Sequence, residues 1–346
     1  MSQSLSPASP SAAPPAGPPP AAPTALGLSR PRRALRFVSV VSCVPYLALK
    51  AAWIGGSHLG IPDGSPLLEH RLTMIVANGL TVLMDAGVIV LALLLTRPWG
   101  RRMPAWLLAG PMWVATGLLT PIMAGFPLQL VVRAFGGSDG GSGGGSGDEP
   151  FLDGWVFGVV YTGFILQGVA LGSLFALYAR DRWGHLWRGR VGEGPPSVGD
   201  RWTRTAVAVA ALLALFPAGL HALWAAGSTA GLDAGRARER TADFHVLESL
   251  DVGYLVAAVG GALVLAFRLL PALPVKVPLA LAWAGSGAAG CWGAWLLAAS
   301  LTGPADDLTA GPSGPMVLTY AVQMITGLLV AAAGARHLTR RARSAA

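Results

Sequence analysis

The sequence is poor in charge and almost without cysteine. Only 12% of its 346 residues are Asp, Glu, Lys or Arg, against 53% hydrophobic, too few charges to clothe an ordinary soluble domain. The two cysteines, Cys43 and Cys291, lie inside apolar runs. They supply neither a disulfide framework nor a CxxC metal site and read as small buried hydrophobes. Six histidines are too few and too scattered for a two-haem bundle: His185 and His337 fall in basic segments, and the apolar runs 152–178 and 315–335 hold none. Walker A, GxSxG and HExxH are all missing, so no catalytic residue and no resident metal is assigned, and the cofactor stays open. The net charge of +8 comes from short basic clusters between apolar runs, not from one patch, which argues against nucleic acid as a partner.

What the chain does have is apolar length. Runs of about 20 residues, enough to cross a bilayer core, fall at roughly 37–56, 72–96, 105–126, 152–178, 205–226, 244–268, 278–300 and 315–335. The Pro/Ala-rich stretch that precedes Arg30 has no charge and little to bury, so it reads as disordered. Arg30, Arg32, Arg33 and Arg36 then close a cytoplasmic tail, 1–36. Residues 37–179 make one four-helix membrane module, with a Gly/Ser-rich external tether at 136–147. A basic linker, 180–204, leads to a second module at 205–335 and a basic tail at 336–346. Nineteen of the 25 Lys and Arg fall on the side assigned to the cytoplasm, five on the other, and Lys50 lies within the first span. That bias places both termini in the cytoplasm.

One stretch occurs twice. Trp53, Gly56, Ser57 and Gly60 recur 171 positions later as Trp224, Gly227, Ser228 and Gly231, and Arg97 recurs as Arg268. Later in each half the offset becomes 159, pairing Tyr161, Gly168 and Gly172 with Tyr320, Gly327 and Ala331. The twelve-residue difference equals the length of the Gly/Ser tract. The expected fold is therefore an all-α integral membrane protein, with eight transmembrane helices arranged as two parallel four-helix repeats. Gly168/Gly172 and Gly327/Ala331 are small-xxx-small faces suited to close helix approach.

A four-span module with Lys50 or His221 three residues before its tryptophan, followed by a Gly-Ser exit, resembles a group of actinobacterial multi-pass membrane proteins with no established activity. The likeness covers about 37–335 in two copies, and it implies a bacterial plasma-membrane location and nothing about chemistry.

Three groups of residues could carry function. Lys50, Trp53 and Ser57 share one helix face, as do His221, Trp224 and Ser228. They suggest a cation or imidazole beside an aromatic wall, although snorkelling and an interfacial tryptophan belt account for them equally well. Asn78, Thr81 and Asp85 form a polar stripe whose carboxylate falls near the bilayer midplane, where ionisable groups are usually functional or hold helices together. His245, Glu248 and Asp251, with His58, Glu69, His70 and His221, lie towards the outer side. They could form a metal or proton-relay site, although their spacing matches no established metal signature and Asp243 and Glu248 also suit a helix N-terminus.

These features point first to a permease or membrane ligand-binding protein for a small molecule or ion, with a polar cavity between the halves. The alternatives are a membrane enzyme or electron carrier using the outer His/acid cluster, and a non-catalytic scaffold or accessory subunit. The lipid bilayer is the expected environment, with another membrane protein or a second copy as further partner candidates.

Overall fold

The computed structural model describes residues 29–63, 71–135, 152–193, 201–238, 240–302 and 311–345. The Pro/Ala-rich segment 1–28, Glu69, His70 and the tract 136–147 lie outside the described residues. Within them the chain is helical: α1 (Arg30–Val41), α2 (Val44–Ile54), α3 (Arg71–Thr96), α4 (Ala105–Ala134), α5 (Gly154–Trp183), α6 (Arg201–Ala225), the five-residue α7 (Ala234–Arg238), α8 (Ala242–Phe267), α9 (Lys276–Thr302) and α10 (Gly314–Ala345). Among the described residues, seven helical segments are long and apolar enough to cross a membrane, the make-up of a multi-pass membrane protein. They are the α1–α2 pair and α3, α4, α5, α6, α8 and α10.

Several boundaries differ from the sequence expectation, among them the start of the first helix, at Arg30 and not 37. The first apolar run is broken at Ser42–Cys43 into α1 and α2. Pro45 lacks the N–H that would reach Val41, and its ring crowds that carbonyl, so the helix restarts. In contrast, α4 runs unbroken through Pro111, Pro121 and Pro127 to Ala134. In a packed bundle, neighbouring helices and local backbone adjustment can accommodate the carbonyls such prolines free. The basic tail 336–345 is no separate segment, since it forms the last turns of α10. There the Arg336 guanidinium sits 5.0 Å from the Trp202 ring centroid.

α9 is the hub of the bundle. It packs against α4, α8 and α10, and every residue from Gly285 to Cys291 is buried. Seven consecutive buried positions cover the whole circumference of a helix. Four glycines make this possible by facing different neighbours. A Cβ on Gly285 would lie 2.4 Å from the Ala258 amide nitrogen on α8, and one on Gly287 3.1 Å from Gly117 Cα on α4. On Gly290 it would lie 3.4 Å from Gly327 Cα, and on Gly293 2.7 Å from Tyr320 O, both on α10. A helix built from Gly, Ala and Ser for close approach is less apolar than its neighbours, which is why α9 is not among the seven. Of the small-xxx-small faces, Gly327 meets Gly290, with Cβ to Cα at 2.5 Å, and Gly168 meets Met123, whereas Gly172 has open space around it.

The twice-occurring stretch adopts one local structure at both places. Gly56 and Gly227 take φ of 93° and 95°, and Gly60 and Gly231 take 74° and 78°, left-handed values that suit glycine. The Trp53 indole N–H donates to Leu59 O at 2.7 Å, and the Trp224 N–H to Ala230 O at 2.8 Å. Ser57 Oγ accepts from the Leu59 amide at 3.3 Å, and Ser228 Oγ from the Ala230 amide at 3.2 Å. Each loop then ties to the start of a later helix. Gly60 O accepts from the Asp153 amide at 3.0 Å, and Gly231 O from the Ser313 hydroxyl. Both tryptophans are buried, at 4% and 1% exposure, and act as fasteners of these loops. Trp53→Phe and Trp224→Phe keep the ring and delete the N–H, so each is expected to cost about 1 kcal/mol of stability. Thermal unfolding of the purified variants checks this, and no shift in either would show the bonds to be idle.

The opposite end of the bundle gathers the basic segments. Arg32 pairs with Asp181, Arg182 donates to Met103 O at 2.7 Å, and Arg341 donates to Arg188 O at 3.2 Å. The 189–192 segment lies beside 271–275, with the Val191 amide donating to Leu273 O at 2.9 Å.

Candidate functional site

Asp85 sits midway along α3 and is 3% exposed. An isolated carboxylate in an apolar helix run needs a partner, because burying it unpaired is strongly unfavourable. It has half of one. Gln167 on α5 donates its amide N–H to Asp85 Oδ1 at 3.3 Å, while Oδ2 is buried without any hydrogen-bond partner. The carboxylate borders a cavity of about 310 Å³, at the small end of the range for ligand pockets. Its other polar edges are Gln167, Thr81 and Tyr46, and the remaining lining is apolar, including Met84, Val114, Leu118 and Phe164. Met84 on α3 and Val114 on α4 are 37% and 42% exposed. α3 and α4 touch only sparsely, so the cavity opens sideways between them, onto the outer surface of the bundle.

The rest of the polar stripe points inward too, with a different role. Asn78 is buried and its Oδ1 accepts from Lys50 Nζ at 2.5 Å. The ammonium also lies 4.7 Å from the Tyr46 ring centroid and 5.0 Å from that of Trp53, a cation–π seating. Seven residues separate Asn78 from Asp85, about 10 Å along the helix. Lys50 is thus held one and a half to two turns further out than the carboxylate. Thr81 Oγ1 donates to Asn78 O at 2.9 Å and reaches the cavity wall.

The second half builds a compact polar cluster instead of a cavity-side acid. His221 on α6 is 3% exposed, and its Nδ1 lies 2.5 Å from Glu248 Oε2 on α8. Its Nε2 lies 3.3 Å from Gln323 Oε1 on α10, and Gln323 Nε2 donates to Asp251 Oδ1 at 3.1 Å. Trp224 stands edge-on to the imidazole, with centroids 5.2 Å apart. His221, Glu248 and Asp251 can bring three ligand atoms within 4.8 Å of one another. His245 is not in that group, since its Nδ1 faces Trp224 O at 3.2 Å. His58 and Asp63 are exposed in the loop after α2.

The cavity does not lie between the halves. α4 and α9 meet there closely enough that a Cβ on Gly117 would be 2.3 Å from Gly287 O, and Arg133 on α4 pairs with Asp243 on α8. The sequence reading missed Gln167 and Gln323. Lys50 of α2 thus meets an amide of α3, whereas His221 of α6 meets an acid of α8, and Gln167 of α5 and Gln323 of α10 each touch an acid. No family model, no curated protein and no solved structure matches this chain.

Proposed function

We propose that this protein is a membrane binding protein or permease for a small lipophilic molecule with a cationic or N–H-bearing head. The observation that carries this reading is Asp85 Oδ2, buried and without a partner at the wall of an apolar cavity. A donor head would complete the carboxylate's hydrogen bonding and offset its charge, and the apolar lining would take the tail. The sideways opening between α3 and α4 favours a ligand that partitions into lipid over one arriving from water. A small ion alone would leave most of the apolar lining without a partner.

The membrane arrangement we propose has α9 as an eighth span, two parallel four-helix modules, and both termini in the cytoplasm of a bacterial cell. Support comes from the matched Trp53 and Trp224 loops and from the basic residues gathered at the opposite end. The positive-inside bias assigns that basic end to the cytoplasm.

The test is binding to protein in lipid nanodiscs, using long-chain alkylamines, alkanols and alkyl carboxylates to compete with a fluorescent lipophilic amine. Amines are expected to compete best, and Asp85→Asn to weaken them about 10- to 100-fold, the value of a hydrogen bond to a charged group. Equal competition by carboxylates, or unchanged binding in Asp85→Asn, would sink the assignment.

A further inference from the structure

We propose that His221, Glu248 and Asp251 form a binding site for a divalent first-row metal ion, with zinc as the natural probe. The three side chains come from two helices, His221 from α6 and Glu248 and Asp251 from α8, so no short sequence spacing could announce them. Their ligand atoms lie within 4.8 Å of one another, so a rotamer adjustment of a few tenths of an ångström brings all three within reach of one ion, whose ordinary Zn–N and Zn–O bonds are about 2.0–2.2 Å.

The surrounding hydrogen bonds set the ligands as a metal site requires. Metal-bound histidines typically donate their other ring N–H to a carbonyl or carboxylate, which fixes the tautomer. Here Nδ1 faces Glu248, the ligand side, and Nε2 faces the Gln323 side-chain carbonyl at 3.3 Å. The same amide turns its NH₂ to Asp251 Oδ1 at 3.1 Å, leaving Oδ2 for the ion. Gln323, 1% exposed, thus orients two of the three ligands at once. Charge balance agrees. A neutral imidazole with two carboxylates carries two negative charges, and one divalent cation cancels them. One imidazolium would cancel only one. One nitrogen and two carboxylate oxygens suit zinc or manganese better than a thiolate-seeking ion, and three protein ligands leave a position open for water or a small anion. Trp224 closes one side of the imidazole.

The site is separate from Asp85, and its test is read separately. Full-length protein purified in detergent is stripped with chelator, loaded with Zn²⁺ or Co²⁺, and desalted. The expected result is one equivalent of zinc per chain and visible Co²⁺ absorption bands of a four- or five-coordinate N/O site. His221→Asn and Asp251→Asn are expected to lose zinc at least tenfold, while Asp85→Asn retains it. Wild-type protein that keeps less than about 0.1 equivalent of either metal overturns the proposal. So does His221→Asn holding as much zinc as wild type. Should the variants fail to fold, wild-type stoichiometry and the Co²⁺ spectrum decide alone.

Discussion

Gly285→Ala is expected to destabilise the protein by about 3 kcal/mol, the upper end of the usual range for overpacking, although it adds one methyl group. The new Cβ would lie 2.4 Å from the Ala258 amide nitrogen, 2.5 Å from Tyr254 O and 3.0 Å from Ala258 Cα. All three are backbone atoms of α8, so no rotamer change relieves the contact. α8 and α9 must move apart by about an ångström, which forfeits dispersion contacts along their whole seam. The seam is reciprocal, since a Cβ on Gly261 of α8 would meet Pro278 O of α9 at 2.4 Å. Gly253→Ala is the control, on the other helix of the pair, α8, with nothing within 4 Å of its Cβ. It is expected to be neutral or to stabilise by up to about 1 kcal/mol through helix propensity. Thermal unfolding of both variants, followed by tryptophan fluorescence, compares them. Equal midpoints would show that the α8–α9 seam yields freely.

His221→Leu, measured with chelator present, is expected to cost about 3–5 kcal/mol, the usual loss when one member of a buried ion pair is removed. The imidazole is enclosed by Glu248, Gln323 and Trp224, and deleting it leaves Glu248 and Asp251 facing each other. The double variant His221→Leu/Glu248→Leu removes the stranded charge with its partner and is expected to recover most of the loss. A double-mutant cycle in chemical unfolding gives the coupling directly. Additive losses would mean that the pair contributes nothing to holding α6 against α8.

The helical, membrane-crossing character was readable because it rests on the length of apolar runs, which needs no knowledge of contacts. The twice-occurring loop was readable for a related reason: left-handed glycines and an indole bonded across six residues are local and leave the same letters at both places. Asp85 stood out because a carboxylate in the middle of an apolar run has no bland exposed alternative. Gln167 and Gln323 left no such mark, since a glutamine in a helix is ordinary until its partner is known. The outer cluster was seen only as an unsorted set. His245, Glu248 and Asp251 step three residues at a time, so His245 and Asp251 sit about 120° apart on the helix. Only the docking of α6 against α8 decides that Glu248 and Asp251 join His221 while His245 turns to the Trp224 carbonyl. The break before Pro45 and the unbroken passage of α4 through three prolines likewise depend on what each helix packs against.

The sheath around α9 bears on how the chain is made. Insertion machinery weighs segments for apolarity as they emerge, and α9, rich in glycine, alanine and serine, offers less than its neighbours. Its cover is assembled in sequence: α4 and α8 precede it, but α10, which meets Gly290 and Gly293, is synthesised after it. Until then one flank of α9 has no protein against it, so a nascent chain halted before Gly314 would expose a groove shaped to receive a helix.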